Sequence, residues 1–429
     1  MIGIMINNYK HRIVDELLRR KLQGVGAVLI EGPKWCGKTT TAEHQAASIV
    51  YMDDIENGSN WQQLASINPK PLLVGDTPRL IDEWQLSPRI WDAVRFEVDH
   101  RGKEGQFILT GSSVPIETDK IHHTGTGRIS WLTMRPMSLW ESGDSNGMVS
   151  LREMFDEPEQ IFCENKLTLE DVAFLVCRGG WPRATFQPKD IALDRAFDYY
   201  DAVVKNDISR VDGVRRDEER THRIMKSYAR HQGTQSSISV IAEDVRNGKE
   251  MSIDEKTVNS YLAALKKIFV IEDMPAWNPN LRSKTAIRTS DNHYFVDPSI
   301  ATAALGLGPN DLINDLNTFG LLFETLCVRD LRVFADANDG KVYHYRDKNG
   351  LECDAVIHLR NGSYGLIEIK LGGEILVDEG VKTLKTLASK IDTSRMKAPS
   401  FLMVITAVGK FAYRREDGIY VVPIGCLKD

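Results

Sequence analysis

Along the first third of the chain, short continuous apolar runs alternate with stretches of helical spacing. Ile13, Val14, Leu17, Leu18 and Leu22 recur at three- and four-residue intervals and predict a helix over 11–22. Arg12, Arg19, Arg20 and Lys21 then fall on its solvated face. Ala27-Val-Leu-Ile30 predicts a buried strand, 40–47 a helix free of Gly and Pro, and Ser48-Ile-Val-Tyr51 a second strand. Further strands are expected over 79–83, 105–113 and 129–134. Several short strands alternating with helices predict a parallel sheet covered on both faces.

The pattern then changes. A polar, Gly- and Asp-rich stretch over 142–158 predicts a loop or boundary. A helix opened by Thr168 follows over 167–176, and a long amphipathic one over 190–207. The segment 210–231 is dense in charges of both signs, either a solvated, ion-paired helix face or one that contacts nucleic acid. Helices over 237–246 and 257–268, joined by a capped turn from Met251, precede two short strands, 269–273 and 292–296, flanking a basic stretch, Leu281-Arg-Ser-Lys-Thr-Ala-Ile-Arg288. That order is the pattern of a winged helix. Such a module binds DNA or pairs with a protein domain, and the sequence leaves both open. The last quarter reads as α/β: a helix over 318–333, strands over 341–346, 351–357 and 364–370, a helix over 382–391, and strands over 401–408 and 420–423.

Composition narrows the class. A chain of 429 residues suggests two to four domains at ~100–200 residues each. A net charge of −6 excludes a uniformly basic nucleic-acid binder but not a local basic face. No apolar run approaches the ~18 residues of a membrane span, and Met1 to Asn8 lacks the charged start of a signal peptide, so the cytoplasm is expected. The six cysteines include no C-x-x-C pair, which argues against a structural zinc site or a disulfide framework.

The chemistry begins between the first strand and the first helix of the alternating region. Gly32-Pro33-Lys34-Trp35-Cys36-Gly37-Lys38-Thr39-Thr40 fits G-x-x-x-x-G-K-[ST] in its required strand–loop–helix setting. Backbone N–H groups of such a loop cradle phosphates at a helix N-terminus. Lys38 would reach the β- and γ-phosphates of ATP, Thr39 would hold Mg²⁺, and Cys36 reads as a space-filler. Asp82 and Glu83 close the apolar strand Arg79-Leu-Ile-Asp-Glu83; Asp82 would coordinate Mg²⁺ and Glu83 would activate the attacking water. Trp84-Gln85 either packs behind them or positions Glu83. Thr110, at the end of the next strand, either senses the γ-phosphate or simply ends a strand. Arg128 either stabilises charge on the transferring phosphoryl group from a neighbouring subunit or lies on the surface.

On Gly32 to Thr40, Leu80-Ile-Asp-Glu-Trp-Gln85, Leu109-Thr-Gly-Ser-Ser113, Gly127-Arg128 and Met137-Ser-Leu139, the chain resembles prokaryotic AAA-type ATPases with a C-terminal domain of unknown function (DUF4143-like). The resemblance spans nearly the whole chain and implies a homo-oligomer in which Arg128 acts as a finger in trans. Gly180-Trp181-Pro182 looks like the Gly-x-Pro lid signature of related ATPases, implying that the turn at Pro182 closes over the base. Nearby, Arg178 or Arg183 either senses phosphate or only shapes a turn. Near the C-terminus, a helix Glu (Glu324), a strand Asp (Asp354) and Glu-x-Lys on the next strand (Glu368, Lys370) resemble the PD-(D/E)xK nuclease superfamily. The likeness implies Asp354 and Glu368 as Mg²⁺ ligands with Ile369's carbonyl, Glu324 in support, and Lys370 either acting on the attacking water or stabilising the phosphorane charge. The departure is E-C-D in place of P-D.

The expected architecture is therefore α/β throughout. Residues 1–145 form an AAA-type ATPase core, 146–210 a helical lid, 211–312 a winged-helix-like module and 313–429 a PD-(D/E)xK restriction-endonuclease-like domain. The expected ligands are ATP and Mg²⁺, and DNA or RNA is the candidate partner. Two functions compete: an ATP-driven, Mg²⁺-dependent nucleic-acid enzyme, and an ATP-gated switch or assembly protein whose nuclease-like domain only binds.

Overall fold

The structure is a computed structural model describing residues 9–112, 125–156, 161–246, 253–279 and 290–429. Ser113, Thr124, the start of the capped turn at Met251 and the basic stretch 281–288 lie outside the described residues. The chain divides into two compact units.

The first unit holds the residues up to Pro136, with 205–216 and 263–270. Its sheet contains β1 (Ala27–Glu31), β2 (Ser48–Tyr51), β3 (Arg79–Asp82), β4 (Phe107–Gly111) and β5 (Ile129–Thr133), in the order β2-β3-β4-β1-β5 with every pairing parallel. β1 is buried along Ala27 to Ile30, and all of β4 is buried, as continuous apolar runs in a two-sided parallel sheet should be. One face packs Trp84, Trp91, Val94 and Phe107, the other Leu18, Ile30, Ala42 and Leu132. The helix after β1 spans Lys38–Glu43, shorter than expected, and places the C-terminal ends of β1, β3 and β4 around its start.

The second unit holds 137–204, 217–262 and 271–429. The stretch 142–158, expected as a loop, contains β6 (Val149–Ser150), and β7 (Phe162–Glu164) follows. Then come β8 (Gly340–Arg346), β9 (Glu352–Leu359), β10 (Tyr364–Lys370), β11 (Phe401–Thr406), β12 (Phe411–Arg414), β13 (Tyr420–Pro423) and β14 (Leu427–Lys428). The main sheet runs β7-β12-β13-β11-β10-β9-β8, so β7 is its far edge, and β6 pairs with β14. Helix Glu374–Lys390 covers one stretch through Val377, Val381, Leu384 and Leu387. The expected winged-helix region holds helices Ile238–Arg246 and Glu255–Lys267. Two antiparallel bridges, Ile271 with Phe295 and Met274 with Asn292, stand where the two strands were expected.

Candidate functional site

In the first unit the phosphate loop folds tightly against β5. Gly32 has φ +151°, and a Cβ there would stand 2.0 Å from the Met134 carbonyl oxygen. Gly37, at φ +101°, caps the helix that begins at Lys38. Both positions therefore need glycine. Trp35, at φ +65°, stands half-exposed. Cys36 is fully buried and its thiol lies 3.5 Å from the Met134 carbonyl, the space-filling role expected of it. The Lys38 ammonium donates to the carbonyls of Gly32 (3.0 Å) and Pro33 (2.8 Å), so the loop folds around it. Lys34 pairs with Asp207 at 2.7 Å. Thr40 offers its carbonyl to the ring of His44 at 2.8 Å.

Three residues converge where the strands end. The Thr39 hydroxyl donates to Asp82 Oδ1 at 2.9 Å, and the Thr110 hydroxyl donates to the same oxygen. Burial raises Asp82 above the ordinary carboxylate range, against the pull of those two hydroxyls. Glu83 follows at φ +53°, a left-handed conformation that costs a non-glycine residue about 1–3 kcal/mol and gathers at functional sites. Of the four non-glycine residues with positive φ among the described ones, Trp35 and Glu83 belong to this site. Burial first, and then the neighbouring Asp82, raise Glu83 as well. Its carboxylate accepts from Gln85 and, at 3.4 Å, from Ser112. Arg128 lies at the surface on Asp99, with Nε 2.7 Å from Oδ1.

Arg12 corrects the sequence reading. It is buried, not solvated, and donates to the Cys36 carbonyl (2.8 Å) and the Arg135 carbonyl (2.8 Å), tying the phosphate loop to the segment after β5. Helical periodicity could not show this, because Arg12 precedes Ile13–Leu22 as its N-cap instead of facing outward from it.

In the second unit, Pro182 opens a turn at Pro182–Phe186. Gly180 N–H donates to Asp297 (2.9 Å) and Trp181 to Ser299 (2.9 Å), while Asp297 pairs with the buried Arg329 at 2.9 Å. Arg178 is buried on Asp144 at 2.7 Å.

The C-terminal candidates do come together. Lys370 Nζ lies 2.8 Å from Glu368 and 3.3 Å from Asp354, so Glu368 and Lys370 share a face as strand geometry requires. The Ile369 N–H donates to Asp354 at 2.7 Å. Glu324, on helix Leu316–Ala337, accepts from the buried Tyr294, which the sequence did not single out. A Cβ at Gly233 would stand 2.7 Å from Glu324, so two segments of the expected winged-helix region abut this carboxyl. Burial, and then Asp354, raise both Glu324 and Glu368. Burial works to lower Lys370, but Asp354 and Glu368 outweigh it and hold the ammonium charged. Glu368 Oε1 is buried, without a hydrogen-bond partner among the described residues. Among the described residues, no three His, Cys, Asp or Glu side chains form a ready metal cage.

Comparison with known families bears on the first unit most directly. Residues 25–142 match the family described as AAA domain. This chain carries an AAA-type P-loop ATPase domain. The match supports ATP binding and hydrolysis as the activity of that domain. Adjacent to the AAA-type domain, residues 169–311 and 319–427 match two domains of unknown function, DUF8612 and DUF4143. An uncharacterized protein of Mycobacterium tuberculosis (strain H37Rv), Rv2008c, is 23% identical over 82% of this chain and 72% of its own length; Mb2031c of Mycobacterium bovis matches to the same extent. Among solved structures, the Walker-type ATPase PABY2304 of Pyrococcus abyssi overlaps with a TM-score of 0.42 and 15% identity, covering 68% of this chain and 94% of that one. The Pyrococcus furiosus Hef helicase domain overlaps at 0.19 and 12% identity, covering 93% and 86%. Neither overlap is close enough to bear on the fold. No described helix is long and apolar enough to cross a membrane.

Proposed function

We propose that the AAA-type domain hydrolyses ATP with Lys38, Thr39, Asp82, Glu83 and Thr110, and that this turnover controls a nucleic-acid-processing site in the C-terminal half. The observation that carries the first part is the shared oxygen: Asp82 Oδ1 receives both the Thr39 hydroxyl of the phosphate loop and the Thr110 hydroxyl of β4. A hydroxyl and a buried carboxylate meeting beside a phosphate loop form an all-oxygen donor set, which suits Mg²⁺. Thr39 and Asp82 would hold the ion, and its charge would offset that of the phosphates.

The other steps fall to the chain itself. Lys38 exchanges the carbonyls of Gly32 and Pro33 for phosphate oxygens, and the loop's backbone N–H groups hold the rest. Glu83, whose Oε2 accepts from the uncharged Gln85 and Ser112, takes the proton of the attacking water. Thr110 fixes Asp82. Arg128 reaches a neighbouring subunit's nucleotide once it leaves Asp99. Fluorescent ATP should bind the wild type, and Lys38→Ala should weaken binding at least about tenfold, or about 1.4 kcal/mol. Unchanged affinity would remove Lys38 from the site.

At the C-terminal site, Asp354 and Glu368 share the Lys370 ammonium, and Glu368 Oε1 lacks a hydrogen-bond partner among the described residues. An orphaned carboxyl oxygen, with Glu324 and Glu368 both pushed up by burial and Asp354, favours a site that takes a cation. Asp354 and Glu368 would hold Mg²⁺, which would polarise a phosphodiester, while Glu324 supports them and Lys370 orients the water. The competing reading, an ATP-gated switch that binds without cutting, is favoured by Lys370 already bridging both carboxylates. Labelled single- and double-stranded DNA and RNA, incubated with Mg²⁺ or Mn²⁺ with and without ATP, decide between them. The nuclease reading expects cleavage that Asp354→Ala abolishes; intact substrates throughout would leave the binding switch.

A further inference from the structure

The sequence left Gln85 either packing or positioning Glu83, and its surroundings favour the second. Its amide nitrogen donates to Glu83 Oε2, which fixes which end of the amide faces the carboxylate. The amide oxygen, turned away, is buried with no hydrogen-bond partner among the described residues. A buried, unpaired polar atom is destabilising, and a methionine of similar shape would fill the same space without that cost. The fold therefore retains a polar side chain whose one hydrogen bond among the described residues goes to Glu83. Its seat is also specific. Gly111 ends β4 one residue after Thr110, and a Cβ on Gly111 would stand 2.9 Å from Gln85 Oε1 and 3.1 Å from the Trp84 indole nitrogen. The missing side chain at 111 makes room for the amide. Glu83 itself sits in a left-handed turn, followed by the short turn Trp84–Leu86, so its carboxylate needs an anchor other than regular strand geometry.

We infer that Gln85 is a positioning residue for ATP hydrolysis: its amide holds the Glu83 carboxylate in the orientation that receives the water's proton, and Gly111 is small to admit it. The inference rests on the reading of Glu83 as the base. Gln85 touches neither phosphate nor metal in this role, so it acts on the rate of turnover and not on the grip on nucleotide. An anchor misplaced by about 1 Å lowers turnover by roughly 100-fold at the extreme.

The test uses the full-length protein with Mg²⁺ and ATP. Gln85→Met should lower kcat roughly 10- to 100-fold, leave KM and the dissociation constant for fluorescent ATP within about twofold, and leave Tm equal or higher because a buried orphan oxygen has been removed. Gly111→Ala approaches the same contact from the other strand and should lower kcat with nucleotide binding kept. Wild-type turnover combined with a Gln85→Met kcat within twofold of it would overturn the inference alone. So would a loss of kcat that follows a matching loss of binding and Tm, which marks packing. If the wild type turns over no ATP while binding it, the hydrolytic reading fails and takes this inference with it.

Discussion

At the scale of single residues, the phosphate-loop motif and the Asp82-Glu83 pair were legible because their chemistry is local: loop, lysine and hydroxyl are neighbours in sequence. What supports them was not. Arg12 precedes the loop by twenty-odd residues and is read by any periodicity argument as one more surface arginine, yet it is buried on the Cys36 and Arg135 carbonyls. A charged hydrogen bond contributes about 1.5–3 kcal/mol, so Arg12→Met should loosen the loop and weaken ATP binding by roughly tenfold or more, read by titration with a fluorescent nucleotide. Gly32→Ala should be harsher, because its Cβ would run into the Met134 carbonyl at 2.0 Å. Recovery of folded Gly32→Ala protein with wild-type affinity would contradict the loop geometry. Tyr294 was equally hidden, since its partner Glu324 lies 30 positions on.

At the scale of elements, helices and strands emerged close to their expected places where the apolar pattern was long, as in Leu316–Ala337 and Tyr364–Lys370. Short pieces escaped. Phe162-Cys-Glu164 is too brief to show a period, and its pairing with β12 depends on residues some 250 positions away. The turn at Gly180 to Pro182 was seen for its glycine and proline, but the reason it holds was not: Asp297 caps helix Pro298–Leu305, accepts from Gly180 N–H and pairs with Arg329, which also pairs with Asp330. Removing one partner from a buried pair leaves an uncompensated charge and costs about 3–5 kcal/mol. Arg329→Met should therefore lower the unfolding free energy of the second unit by that amount, followed by circular dichroism in urea. A change under about 1 kcal/mol would mean the network is not structural.

At the scale of the whole molecule, the sequence suggested modules laid end to end, but the strands are interleaved. β7 completes the sheet of the C-terminal residues, with Phe162 stacked on Phe411 at 5.0 Å, and β6 pairs with β14. A fragment beginning at residue 313 lacks both upstream strands and bares the β12 edge with its exposed Phe411 and Tyr413. An uncovered apolar edge strand invites association. That fragment should elute as aggregate or melt well below the full chain, whereas a monomeric fragment with an unchanged melting point would show that β7 is dispensable.

The central claim is that Asp82 and Glu83, set against the phosphate loop, make this protein hydrolyse ATP. The most direct measurement is steady-state phosphate release by full-length Glu83→Gln beside wild type, with ATP affinity determined on the same samples. The wild type should turn over ATP, and the variant should lose roughly 100-fold or more of that rate with ATP affinity unchanged within about twofold. Equal turnover by the two proteins would contradict the claim.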